Sequence, residues 1–175
     1  RLSGIYTGFS LNLQGTNTVF GSPSTGSTNT NARTVYDLAH YRSGSGTQTG
    51  AIVFIAPNTD TTMMMLLEID GFLYSPTQSV KLIVQGYRNA GAWSQLSKIS
   101  LGAVDIQVRF AVDPSGKQCI ILGDVGTVWS YPDVAITKAM FSHNGATDAY
   151  CTGWTVAVVT SLASYTQLTS DVGTS

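Results

Sequence analysis

From Thr34 onward the chain reads as short apolar runs separated by turn residues. The clearest run is 104–112, where Val104, Ile106, Val108, Phe110 and Val112 alternate with Asp105, Gln107, Arg109 and Ala111. A period of two is the signature of a strand with one buried and one wet face. The run leads into Asp113-Pro114-Ser115-Gly116 and then 118–122, which predicts an antiparallel hairpin closed by a type I-like turn. The same reasoning predicts strands over 35–41, 51–55, 63–69, 80–87, 127–131, 134–141 and 154–160. The segments between them, such as SGSGTQTG, PNTD, RNAG and HNGATD, are rich in the residues that favour turns.

Two runs, 51–55 and 154–159, are apolar on both faces. Such strands are either central to a sandwich or covered by another subunit. Met63-Met64-Met65 reads as core filling within a strand. Helix signals are scarce: Glu68 is the only Glu, and only 34–42 carries apolar residues at a helical spacing (Val35, Leu38, Ala39). The expected fold is therefore all-β, an antiparallel, jelly-roll-like β-sandwich of about nine strands. An extended N-terminal arm precedes it. Residues 1–32 form that arm, 33–165 the sandwich and 166–175 a polar tail. The arm includes a Gly/Ser/Thr/Asn-rich stretch over 15–31, yet Leu2, Ile5, Phe9, Leu11 and Phe20 are scattered through it. Those residues are expected to lie against this domain or a neighbouring chain.

Composition narrows the function. Only 11% of the 175 residues are charged, the net charge is −1, and Ser plus Thr number 41. Without a Lys/Arg cluster, phosphate-backbone binding is not expected, so nucleic acid is excluded as a partner. The apolar runs fall far short of a membrane span, and no charged-then-apolar leader is visible. Cys119 and Cys151 lack zinc-ligand spacing, so two buried free thiols or one disulfide are the readings.

Catalytic templates fail. The chain has neither a G-x-S-x-G elbow nor a phosphate loop; Gly116-Lys117 belongs to the hairpin turn. His40 and His143 are the two histidines; Asp148 and the many serines leave a Ser-His-Asp arrangement through His143 open, but a lone His beside Asn144-Gly145 reads as a surface or hydrogen-bonding loop residue. Nine Asp and one Glu supply carboxylates, but most, including Asp113, Asp124 and Asp133, stand in turn contexts and nothing pairs them for glycoside hydrolysis. The expectation is a protein that is not an enzyme and uses no cofactor and no metal.

The aromatics are more informative. Tyr87, Arg88, Asn89 and Trp93 cluster around one turn, and Trp129 and Tyr131 stand two apart on one strand end. Aromatic faces beside amides and hydroxyls suit a sugar ring, which stacks through its C–H faces and hydrogen-bonds through its hydroxyls. The competing reading makes Trp93, Trp129 and Trp154 core plugs. The candidate ligand-binding residues are Tyr87, Arg88, Asn89, Trp93 and Tyr131, with His143, Asn144 and Asp148 in the loop before Cys151.

The succession VDIQVRFAVDPSGKQCIILGD, TVWSYPDVAITKAMF and CTGWTVAVV, preceded by YDLAHYRSGSGTQTGAIVFIAPN and MMLLEIDGFLY, resembles the C-terminal knob of bacteriophage tail fibres and tailspikes. The resemblance covers roughly residues 33–165. In several such fibres the knob is followed by a self-cleaving intramolecular chaperone, and the end at Ser175 suits such processing as well as it suits an arbitrary boundary. The resemblance implies a homotrimeric virion component that binds a host cell-surface glycan or outer-membrane receptor without inserting into the membrane. It transfers no binding residues.

Overall fold

The computed structural model describes residues 18–21, 33–44, 46–57, 59, 62–74, 78–142 and 150–173. These form twelve strands: β1 (Thr18–Gly21), β2 (Arg33–Arg42), β3 (Thr47–Thr49), β4 (Ala51–Ile55), β5 (Met63–Leu73), β6 (Gln78–Asn89), β7 (Ala92–Ser100), β8 (Val108–Val112), β9 (Gln118–Leu122), β10 (Val128–Ser130), β11 (Asp133–Ser142) and β12 (Thr155–Val159). A six-stranded antiparallel sheet, β1-β2-β11-β5-β6-β7, faces a four-stranded one, β12-β4-β9-β8, and β3 pairs with β10 in a short ribbon. The all-β sandwich expected from the periodicity is the observed architecture.

Alternation builds the core. In β5, Met63, Met65, Leu67 and Ile69 are buried while Met64 is exposed. In β6, Val80, Leu82 and Val84 point the same way. They meet Ile52, Phe54, Phe110, Ile120 and Leu122 of the opposite sheet in one cluster. Gly86 continues the inward row of β6, and a Cβ there would lie 2.6 Å from the Phe110 ring. The ring occupies the space that the missing side chain leaves. Trp93 packs on the same ring, centroid to centroid 4.7 Å.

β4 is central, as one of the two readings of its apolar faces required. Its outer face, Ala51 and Val53 with Cys119 and Ile121, lies under Leu162 and Tyr165 of the chain itself. The following residues run along the free edge of β8. Thr166 forms a bridge with Val112, Thr169 N–H donates to Phe110 O and Val172 N–H to Val108 O. Asp171 Oδ1 accepts from Val108 N–H. The tail of 166–173 is thus a strap, and Val172 is buried. Lys98 of β7, 1% exposed, pins it: its Nζ lies 3.0 Å from Asp105 Oδ1 and 3.8 Å from Asp171 Oδ1, and donates to Ile106 O at 3.1 Å.

The differences from expectation have local causes. The nine-residue strand over 104–112 is a strand only from Val108, because 101–107 cross between the sheets and Ala103 N–H bonds Ser79 O. β7 carries few apolar residues and a bulge at Gln95 (φ 51°), which hides its alternation. β3 lies inside SGSGTQTG, expected as a loop, and β1 inside the low-complexity arm; both form by pairing, with β10 and β2 respectively. The helical spacing of Val35, Leu38 and Ala39 comes from a bulge in β2 at Asp37 (φ 56°), which shifts the parity of the strand. The hairpin at Asp113–Lys117 matches its signature: Gly116 (φ 84°) N–H bonds Asp113 O, and Asp113 Oδ1 accepts from Ser115 and Lys117 N–H.

Candidate functional site

At one end of the sandwich three chain segments converge. β2 ends at Arg42, β5 runs into Tyr74, and the link from β10 to β11 passes through Tyr131 and Pro132. Backbone hydrogen bonds tie them together: Ser43 N–H to Pro132 O (2.9 Å), Tyr74 N–H to Ser130 O (3.0 Å) and Tyr131 N–H to Gly46 O (3.1 Å). The result is a groove of about 400 Å³ lined by Arg42, Ser43, Phe72, Tyr74, Tyr131 and Asp133.

Its aromatic wall is open to solvent, with Tyr74 66%, Phe72 51% and Tyr131 49% exposed. Tyr74 and Tyr131 meet edge to face, centroids 5.5 Å apart at 71°. Tyr131 holds this position with φ 45°, in the left-handed region that bulky residues avoid. The turn ends the alternation of β10, so Trp129 and Tyr131 do not share a face. Trp129 is 2% exposed and donates from Nε1 to Gly50 O (2.6 Å), while Tyr131 stands outside.

The polar wall is built on Asp133, opposite Arg42 on one side and Phe72 on the other. Asp133 Oδ1 lies 2.5 Å from His40 Nε2, and Oδ2 lies 3.7 Å from Arg42 Nε. The Arg42 side chain is 76% exposed. Among the described residues lining the groove, Asp133 is the one carboxylate.

No protein-family model, curated protein or solved structure matches the chain.

The residues singled out in the sequence are divided by the fold. Tyr131 belongs to the groove. Tyr87, Arg88, Asn89 and Trp93 gather at the β6–β7 hairpin, as their spacing implied, but at the opposite end. Tyr87 pairs with Met64, whereas the groove sits beside Phe72, eight residues and about 26 Å further along β5. Of that group Arg88 is 5% exposed and Trp93 packs on Phe110, which leaves Tyr87 and Asn89 outward. Trp154 is also a core residue, stacked on Phe141 and donating from Nε1 to Tyr150 O. His143, Asn144 and Asp148 lie outside the described residues.

His40, Arg42, Phe72, Tyr74 and Asp133 carry the groove without having been singled out as ligand residues. Their only shared signal is position, at strand ends distant in sequence. Elsewhere on the outer face of the six-stranded sheet, Lys81 bridges Asp70 (2.8 Å) and Glu68 (3.5 Å), and Lys138 bonds Glu68 (2.8 Å). Thr137 Oγ1 donates to Asp70. The hydrogen bond from Lys138 first, and Lys81 with it, holds the Glu68 carboxyl below its usual range. Burial pushes Asp70 up, but the hydrogen bonds from Lys81 and Thr137 outweigh it and the net direction is down.

Proposed function

We propose that this chain is the receptor-binding tip of a bacteriophage tail fibre, a non-catalytic domain that holds a host surface saccharide such as a lipopolysaccharide O-antigen. The observation that carries the saccharide reading is Tyr131. A half-exposed tyrosine kept at φ 45°, immediately before a proline, retains a strained backbone that glycine would relax. Strain of that kind concentrates at ligand sites, and here it sets an aromatic face beside Tyr74 and Phe72. Hydroxyl, carboxylate and guanidinium groups of Ser43, Asp133 and Arg42 stand within the same groove.

The fibre reading rests on the resemblance over residues 33–165. A trimer would bring three such grooves to one cell surface, where avidity multiplies weak contacts. Tyr36, Met64 and Met140, 40–45% exposed on the outer face of the six-stranded sheet, offer apolar surface for subunit contact. A single carboxylate among the described residues of the groove favours binding over hydrolysis, which uses two facing carboxyl groups.

A glycan array probed with the full chain, followed by pull-down with bacterial outer membranes, tests the reading. Binding that Tyr131→Gly removes is expected. New reducing ends from a bound polysaccharide would make it a depolymerase instead, and absence of all glycan and membrane binding would leave a structural knob. Light scattering showing a stable mass near 18.5 kDa would overturn the trimer.

A further inference from the structure

We infer that the groove selects a saccharide bearing a carboxylate, and that the terminal nitrogens of Arg42 hold it. This deepens the saccharide reading and rests on it. Asp133 has Oδ1 within hydrogen-bond distance of His40 Nε2, and Oδ2 at ion-pair distance, 3.7 Å, from Nε of Arg42. That contact uses the inner edge of the guanidinium and leaves Nη1 and Nη2 without a partner among the described residues. With Nε on the Asp133 side, the remaining pair forms a planar fork, the geometry that matches a carboxylate with two parallel hydrogen bonds.

The neighbouring cations on this sheet face are already committed. Lys81 is held by Asp70 and Glu68, and Lys138 by Glu68. Arg42 differs in having open donors, and it stands at the wall of an aromatic groove. A pyranose lying on Tyr74 and Tyr131 would carry its ring substituents toward the polar wall. Asp133 and Arg42 carry opposite charges, so the pair presents no net negative charge to an incoming carboxylate. A neutral sugar would leave the guanidinium fork with water alone.

The test uses the full chain and matched ligands: uronate-containing oligosaccharides and the same oligosaccharides as methyl esters, titrated by calorimetry. Wild type is expected to bind the acids at least about tenfold more tightly than the esters, the gain of a charge-assisted pair. In Arg42→Gln the ratio of acid to ester affinity should collapse toward one, with an unchanged melting temperature because the side chain is largely solvated. Equal affinity of wild type for acid and ester, with both lost in Tyr131→Gly, would overturn the inference and keep the saccharide reading. Binding of neither, or binding that survives in Tyr131→Gly, would overturn both.

Discussion

Tyr131 packs its ring edge-on against Tyr74, centroids 5.5 Å apart, while its own backbone sits at φ 45°. The two facts pull in opposite directions. An edge-to-face pair contributes about 0.5–1.5 kcal/mol, and a bulky residue in the left-handed region costs about 1–3 kcal/mol.

Tyr131→Gly and Tyr131→Ala should therefore separate stability from binding. Glycine loses the ring contact but relieves the backbone, so its unfolding free energy should stay within about 1 kcal/mol of wild type. Alanine loses the ring and keeps the strain, and should be the less stable of the two. Both should lose glycan binding. Chemical denaturation ranks the stabilities, and alanine proving the more stable would contradict the strain.

Gly86→Ala should destabilise by about 1–3 kcal/mol, because its Cβ would press into the Phe110 ring. The melting temperature should drop by several degrees. Phe110→Leu in the same chain should recover part of that loss, a coupling that a double-mutant cycle measures.

Lys98 and Asp171 should prove to hold the C-terminal strap. Lys98→Ala removes a buried side chain and the partner of two carboxylates, for a loss of about 2–3 kcal/mol. Lys98→Met, which keeps the buried stem, should lose less. Hydrogen exchange should show Val108 and Phe110 amides opening earlier in Asp171→Asn, since Asp171 and Thr169 accept from them.

The outer-face charge cluster sets a pH window. Glu68 and Asp70 are held down, so their contribution is complete above their ordinary values and is lost as pH falls through the lower folded ones, below about pH 4. The hydrogen bond it donates to Asp70 raises Lys81, and the one donated to Glu68 raises Lys138. Their contribution is present below the ordinary lysine value and is lost as pH rises through the higher folded one, beyond about pH 10. Glu68→Gln should flatten the acid limb of a plot of melting temperature against pH. An unchanged limb would exclude Glu68 from it.

Burial pushes the Cys119 thiol up to about 12, and both cysteines are buried and not joined in a disulfide. At pH 8 the native chain should react negligibly with a disulfide reagent such as Ellman's, and two thiols should appear on unfolding. Rapid reaction of the native chain would show that the cover of Leu162 and Tyr165 over Cys119 opens readily.

Sequence alone determined the fold class, because strand faces are written as a period of two and hairpin turns as local chemistry. Asp113–Gly116 and the strands over 51–55 and 118–122 stand where their residues placed them. Strands stabilised by their partners were not legible. β1, β3 and β7 have weak patterns of their own and exist through pairing with β2, β10 and β6. The candidate site was legible in one residue, Tyr131, whose aromatic character suggested a sugar face. Its groove partners His40, Arg42, Phe72, Tyr74 and Asp133 come from three distant strand ends. Only the register of β2, β11 and β5 brings them together, and register is a property of the assembled sheet. The pairing of β6 with β7 carried Arg88 and Trp93 inward together, since alternation assigns a side chain to a face and packing against the opposite sheet decides whether that face is core.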